Sequence, residues 1–322
     1  MDAGRRAAPL QRAADSLGEI MELERVIAAR HGNLGHGLEV QRVLPFAKRR
    51  MVGPFIFLDH AGPLQLATAT MREADIRPHP HIGLSTVSYL FSGRVTHRDS
   101  LGVEQIIKPG EVNWMTAGRG ISHSERFDSL ALCPDEPLEL LQSWVALPTE
   151  NEEDAPAFDN YPTAALPLTE TPQMRVRLIA GEAYGLHSPV ATHSPLFYAH
   201  VELAAGAVLP LPRGYAERAV YIAHGRLRHD GIDYQAGQML VFTAGGEPAV
   251  TALEACSLML LNGEPLGERH IWWNFVSSRK DRIEAAKADW LAGRIALPPM
   301  DNQEFIPLPQ APAQSAKPEP LS

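Results

Sequence analysis

The chain repeats itself. "PGEVNWMTAG" at 109–118 reads again as "AGQMLVFTAG" at 236–245, and "STVSYLFSGRV" at 85–95 reads again as "ERAVYIAHGRL" at 217–227. Both copies consist of short runs rich in β-branched and aromatic residues, closed by glycine turns, which is the grammar of strands. A duplicated β-unit restricts the chain to two similar domains. Around the copies, "GPFIFLDHAGP", "RVTHRDS", "EQIIKPG" and "ELLQSWVAL" have the same length and punctuation. Short strands at even spacing indicate an all-β sandwich or barrel.

The domain limits follow from changes in composition. Residues 1–20 read as a flexible extension and 21–148 as the first β-domain. The acidic, Pro-rich stretch 149–173 reads as a linker or an excursion over the surface, 174–310 as the second domain, and 311–322 as a disordered tail. Only "SSRKDRIEAAKADWLAGR" changes period: Ile283, Ala286, Trp290 and Leu291 share one helical face. This predicts a helix over 278–292, with Ser277 or Ser278 as N-cap and Gly293 as its stop.

Composition excludes several functions. A net charge of -9 opposes a general nucleic-acid footprint, and the basic run "AKRRM" at 47–51 reads as a solvated loop. Cys133 and Cys256 form neither a thiolate metal pattern nor a disulfide framework, which fits a reducing cytoplasm. No apolar segment resembles a signal peptide or a membrane span, so the expected location is cytoplasmic.

The first copy carries chemistry that the second lacks. His79 and His81 flank Pro80 at the mouth of a strand, and side chains two apart on a strand share a face. His123 and Glu125 in "GRGISHSERF" stand in the same relation. Three imidazoles and one carboxylate from two strands could converge on one ion, and such donors suit Fe, Mn, Ni, Cu or Zn. Aligning Gly93 with Gly225 sets Leu211 and Arg213 against His79 and His81; aligning the two "TAG" runs sets Val250 and Ala252 against His123 and Glu125. The scaffold persists where all four are replaced, so these four serve function and not folding.

Other candidates rank below them. His97 and Asp99 share a strand face, and His97 reads as a barrel-surface residue or as a support behind the ligands; without a Gly-rich loop or a DFG, "HRD" is no kinase motif. Asp59 and His60 read as a turn, with a supporting role near the site mouth as the alternative. "TAGRGIS" lacks the Lys-Ser/Thr of a phosphate cradle, and Gly118 and Gly120 read as the tight entry that aims His123 inward. Phe57, Trp114 and Met115 read as core first and pocket wall second. His187, His193 and His200 read as structural or exposed.

"HPHIGLSTVSYLFSG", "HRDSLG", "PGEVNWMTAGRGISHSE", "LQSWVALP" and "WNFVSS" together resemble the pirin family of the cupin superfamily, over roughly 38–309. The resemblance implies two cupin (jelly-roll) β-barrels with a short C-terminal helix and a metal only in the first barrel. It implies His79, His81, His123 and Glu125 as ligands and Fe2+ as the ion, the same donors accepting Mn, Co, Ni, Cu or Zn. It further implies a quercetin 2,3-dioxygenase activity on a flavonol and O2, with Glu125 the base for the 3-hydroxyl proton. Pirins are also associated with regulation, which implies a metal-dependent surface for a protein partner. A third reading is a cupin that keeps its metal without catalysis.

Overall fold

The computed structural model describes residues 22–33, 38–65, 71–127 and 136–309. The extension 1–20, the tail 311–322 and Cys133 fall outside the described residues. The regular structure of the described residues is mainly antiparallel strand, with one α-helix, Lys280–Leu291, near the end.

The two copies build the same pair of sheets. In the first half, a seven-stranded sheet runs in the order Ala157–Tyr161, Val112–Thr116, Leu84–Ser92, Leu138–Ala146, Phe55–Leu64, Glu39–Leu44, Arg30–Asn33. A four-stranded sheet, Ile76–His81, Ile121–Arg126, Val95–Asp99, Glu104–Ile107, completes it. The second half repeats this with a large sheet centred on Glu217–His224 and Cys256–Gly263 and a four-stranded sheet from Val208–Pro210 to Ile232–Gln235. The ladders leave each jelly roll open between its two sheets, within the all-β cupin class.

The large sheets pack against each other, which places the main core on the seam. In strand Leu196–Leu203, Leu196 and Tyr198 join the seam cluster, while Phe197, Ala199 and Val201 fill the second jelly roll. Both faces are therefore apolar over Leu196–Ala199, which reads as a continuous hydrophobic run, while His200 and Glu202 make the seam face polar toward the end of the strand.

The first half lends the second an edge strand: Leu23–Ala28, at the start of stretch 21–148, pairs with Gln238–Phe242 of the second half. Stretch 149–173 likewise carries two strands: Ala157–Tyr161 lies on Val112–Thr116 of the first half, and Leu168–Glu170 on Met174–Ala183 of the second. Its polar, Pro-rich composition is that of edge strands, which face water on one side and need no second ladder.

Three further expectations shift. Asp59 and His60 lie inside strand Phe55–Leu64, not in a turn. The sequence looks turn-like because it is polar, but Arg42 neutralises buried Asp59 through two hydrogen bonds of 2.9 and 2.7 Å. The helix begins at Lys280 because Glu152 binds the Ser277 hydroxyl and the Ser278 amide at 2.6 and 2.7 Å; Arg279 stands at the N-cap position without a side-chain cap. Ile283, Ala286 and Trp290 are buried as the periodicity requires, but Leu291 is 76% exposed in the last turn before Gly293. In the repeat, Val250 pairs with Leu209, as His123 pairs with His79. The counterparts of His79 and His81 are therefore Leu209 and Leu211, two residues earlier than the Gly93–Gly225 alignment puts them, because the connection to the next strand is two residues longer. Both leucines are core.

Candidate metal centre

Strand Ile76–His81 sets His79 and His81 on one face, with Pro80 between them turned away. Strand Ile121–Arg126 runs antiparallel beside it, and His123 is the direct ladder partner of His79. The chain reaches that strand through a tight turn at Gly118, where φ is +50° and an added Cβ would meet the Asp154 carbonyl oxygen at 2.0 Å.

The three imidazoles converge. Ring centroids of His79, His81 and His123 lie 4.4–5.0 Å apart, and one nitrogen from each falls within 4.8 Å of the others. All three are buried. Burial pushes His79 down to about 4 despite the hydrogen bond of its Nδ1 to the Arg77 carbonyl. Burial lowers His81 and His123 further, with the neighbouring imidazoles adding to the effect. All three are therefore neutral at pH 7, with lone pairs available.

Glu125 behaves differently. It lines the same cavity, but its carboxylate does not come within 4.8 Å of all three imidazole donors. Along its own strand the alternation holds: Ile121–Arg126 stays in regular register with Val95–Asp99, and the extra residue where Glu125 opposes Ile76 lies in strand Ile76–His81. Burial pushes its carboxyl up to about 7, partly offset by the Ser88 hydroxyl. The single Ser88 proton has a competing acceptor in Gln142 Oε1 at 2.7 Å.

The donors fit a cation. Both ring nitrogens of His81 and Nε2 of His123 are buried without hydrogen-bond geometry to any partner, although the Asn274 backbone is close enough to favour a charge on His81. Buried polar atoms in a folded chain are ordinarily paired, and a metal ion is the partner that three neutral imidazoles can share. His79, His81 and His123 could hold it, with Glu125 beside them.

The cavity around them has a volume of about 170 Å³. Phe57 is in its wall, stacked on Trp144 at 4.0 Å, and Ile76, Trp273 and Ile306 add apolar surface. Trp114 and Met115 instead pack into separate apolar clusters. Gln142, Trp144, Trp273, Asn274 and Ile306 escaped prediction as wall residues. Trp144 lies within "LQSWVALP" and Trp273 and Asn274 open "WNFVSS", so motifs that stand out in the sequence held them. Ile306 carried no signal, since long-range contacts bring it there, among them a hydrogen bond from its amide to the Pro78 carbonyl, 2.8 Å.

Behind the cluster, His97 is buried, 3.3 Å from His123, hydrogen-bonded to Asp99 at 3.1 Å and stacked on Phe158 at 4.5 Å. His200 is tied to Tyr89 and Ser257, each at 2.9 Å, and exposed His187 to Glu182 at 2.8 Å; His193 stands 3.8 Å from Asp154. In the basic run, Arg49 is paired with Glu24 and Glu217. Among the described residues, no helix is long and apolar enough to cross a membrane.

The Pirin family model matches residues 37–145, and that of the Pirin C-terminal cupin domain matches 198–296. A pirin-like protein of Caulobacter vibrioides is 55% identical over 289 residues, covering 89% of this chain and 100% of that protein. The crystal structure of quercetin 2,3-dioxygenase from Acinetobacter baumannii is similar with a TM-score of 0.81 and 31% identity, over 91% of this chain and 97% of that one. The bacterial pirin YhhW from Escherichia coli, solved in complex with nickel(II), shares the fold with a TM-score of 0.56 at 18% identity, over 75% of this chain and 99% of that one. The two family matches fall one on each copy of the internal repeat, and the chain belongs to the pirin family of cupins.

Proposed function

We propose that the protein is a metal-dependent dioxygenase that opens the central ring of a flavonol. The observation that carries this reading is the cluster of three buried, neutral imidazoles, with unpaired nitrogens on His81 and His123, set in an apolar-walled cavity beside a carboxyl group. The likeness to a quercetin 2,3-dioxygenase at 31% identity supports it. Fe2+ is the ion we assign, from family resemblance; Mn, Co, Ni, Cu and Zn suit the same donors. When bound, a divalent metal supplies Lewis-acid and redox chemistry to the adjacent oxygens of the substrate.

The chain's own residues account for the remaining work. His79, His81 and His123 hold the ion. The Glu125 carboxylate takes the proton of the 3-hydroxyl, leaving an electron-rich flavonolate for O2. Phe57 and Trp144, stacked on each other, give the aromatic rings an apolar wall, and with Ile76 and Ile306 they keep water out. Flavonol and O2 are converted to a depside and carbon monoxide. A cytoplasmic setting belongs to this reading.

A second reading rests on size. Small-molecule sites usually offer ~300 Å³ or more, and this cavity offers about 170 Å³. So small a metal cavity suits a protein whose metal state alters a surface for a protein partner. Quercetin turnover separates the two. The protein is loaded anaerobically with Fe2+, air is admitted, and loss of flavonol absorbance is followed with release of carbon monoxide. Turnover that disappears in His79→Ala supports the enzyme. Metal binding without turnover, repeated with Mn, Co, Ni and Cu, moves the assignment to regulation.

A further inference from the structure

Another group of metal-ligating side chains stands on the seam between the two halves. His60 comes from strand Phe55–Leu64, Glu139 from its neighbour Leu138–Ala146, and His224 from the end of strand Glu217–His224 in the second half. His60 Nε2 lies 2.9 Å from Glu139 Oε1, and His224 Nε2 lies 2.6 Å from that same oxygen. The three donor atoms all fall within 4.8 Å of one another. We propose that His60, Glu139 and His224 form a second metal site, which takes a divalent ion of the zinc type and ties the two halves of the chain together.

The donor set is one that zinc uses: two imidazoles and one carboxylate, with a further position open. The far side of His60 is already oriented, because its Nδ1 meets the Tyr221 hydroxyl at 2.9 Å. An outer hydrogen bond of this kind fixes the ring and leaves Nε2 to the ion. Tyr221 lies three residues before His224, so the second half supplies both a ligand and the group that aims another.

The site is protected and reachable. His60 and Glu139 are buried, whereas the His224 side chain is 44% exposed. Glu139 and His224 open onto a cavity of about 380 Å³ that Arg177 and His200 also line. Bonds of about 2.0–2.1 Å in a tetrahedral site set neighbouring donor atoms roughly 3.3 Å apart. The two contacts to Glu139 Oε1, at 2.9 and 2.6 Å, must therefore widen by roughly 0.4 and 0.7 Å. The larger movement falls on His224, the ring with most freedom to make it.

The competing state is a hydrogen-bonded triad without an ion, and counting metal distinguishes the two. Full-length protein is stripped with a chelator and dialysed against Zn2+, and bound metal is measured per chain by mass spectrometry. The expected result is two equivalents in the wild type and one in each of Glu139→Gln and His224→Gln. The double variant His79→Ala/His123→Ala should keep one equivalent, and Zn2+ should raise its melting temperature. In that variant Co2+ should give visible d–d absorption that adding Glu139→Gln removes. His224 is half-exposed, so His224→Gln keeps the fold if Glu139→Gln does not. One equivalent in the wild type and none in the double variant would overturn the proposal. So would two equivalents retained by both His224→Gln and Glu139→Gln.

Discussion

His97 and His123 face each other Nδ1 to Nδ1 at 3.3 Å, and the other nitrogen of His97 lies 3.1 Å from Asp99 Oδ2. Only one arrangement of protons satisfies both contacts with neutral rings. His97 donates from Nε2 to the Asp99 carboxylate, so its Nδ1 accepts from His123 Nδ1–H. The lone pair of His123 is thereby placed on Nε2, the atom left buried and unpaired. His79 reaches the same state by another route, donating from Nδ1 to the Arg77 carbonyl.

Removing this support should weaken the metal site without unfolding the sheet. His97→Phe keeps the stacking on Phe158 but leaves His123 free to change tautomer. Metal affinity should fall by about 10–100-fold, the usual cost of losing an outer hydrogen-bond partner. His97→Gln, whose carbonyl can accept from His123, should recover part of it. Equilibrium dialysis measures both, and equal affinity in all three proteins would show that the relay has no orienting role.

Ile306 lines the cavity from an extended segment whose backbone is held by two hydrogen bonds, its amide to the Pro78 carbonyl and its carbonyl from the Trp290 Nε1 at 3.0 Å. Ile306→Ala keeps both bonds and shortens the wall. If a flavonol needs more than the present 170 Å³, kcat/KM for quercetin should rise several-fold. Steady-state kinetics would detect this, and a fall would mean that Ile306 contacts substrate productively.

The same segment is anchored by Asp301, which accepts from Arg126 at 2.7 and 2.8 Å and from Ser124 at 2.6 Å. Burial raises the Asp301 carboxyl, but these hydrogen bonds outweigh it and hold its pKa below the ordinary 3.8. A depressed carboxylate contributes stability that is present above its unfolded value and lost as pH falls through its folded one. The segment should therefore loosen only below about pH 3.8. Trp290 fluorescence should report it, and Asp301→Asn should loosen the segment at neutral pH, at a cost of about 1–3 kcal/mol.

Gly118→Ala tests the turn that aims His123. A Cβ there meets the Asp154 carbonyl at 2.0 Å in a backbone conformation that L-residues avoid. Thermal unfolding should show a loss of more than ~1 kcal/mol. Metal content should drop with it, because His123 lies on the strand that this turn begins.

Some of the site is readable from local spacing. Alternation along a strand puts His79 and His81 on one face, and the missing histidines of the second copy mark them as dispensable for folding. The same rule puts Glu125 on the face of His123, and Glu125 lines the cavity with the histidines; the distance of its carboxylate from the three imidazole donors is not in the spacing. Local reading fails at Asp59 and His60, where polar residues suggest a turn until Arg42, Tyr221 and Glu139 supply partners inside a sheet.

The sequence by itself determined that this is a duplicated all-β chain of the pirin family, and which of its copies carries the imidazoles. Those features live in short-range periodicity and in motifs, which any reader of the chain can see. Only the tertiary structure decided that the first strand joins the sheet of the second half, that Ile306 lines the cavity, and that His60, Glu139 and His224 meet on the seam. His60 and Glu139 are 79 residues apart, and Tyr221 lies 161 residues beyond His60. Contacts of that range are fixed by how the apolar faces of the two large sheets pack. No local pattern encodes that packing.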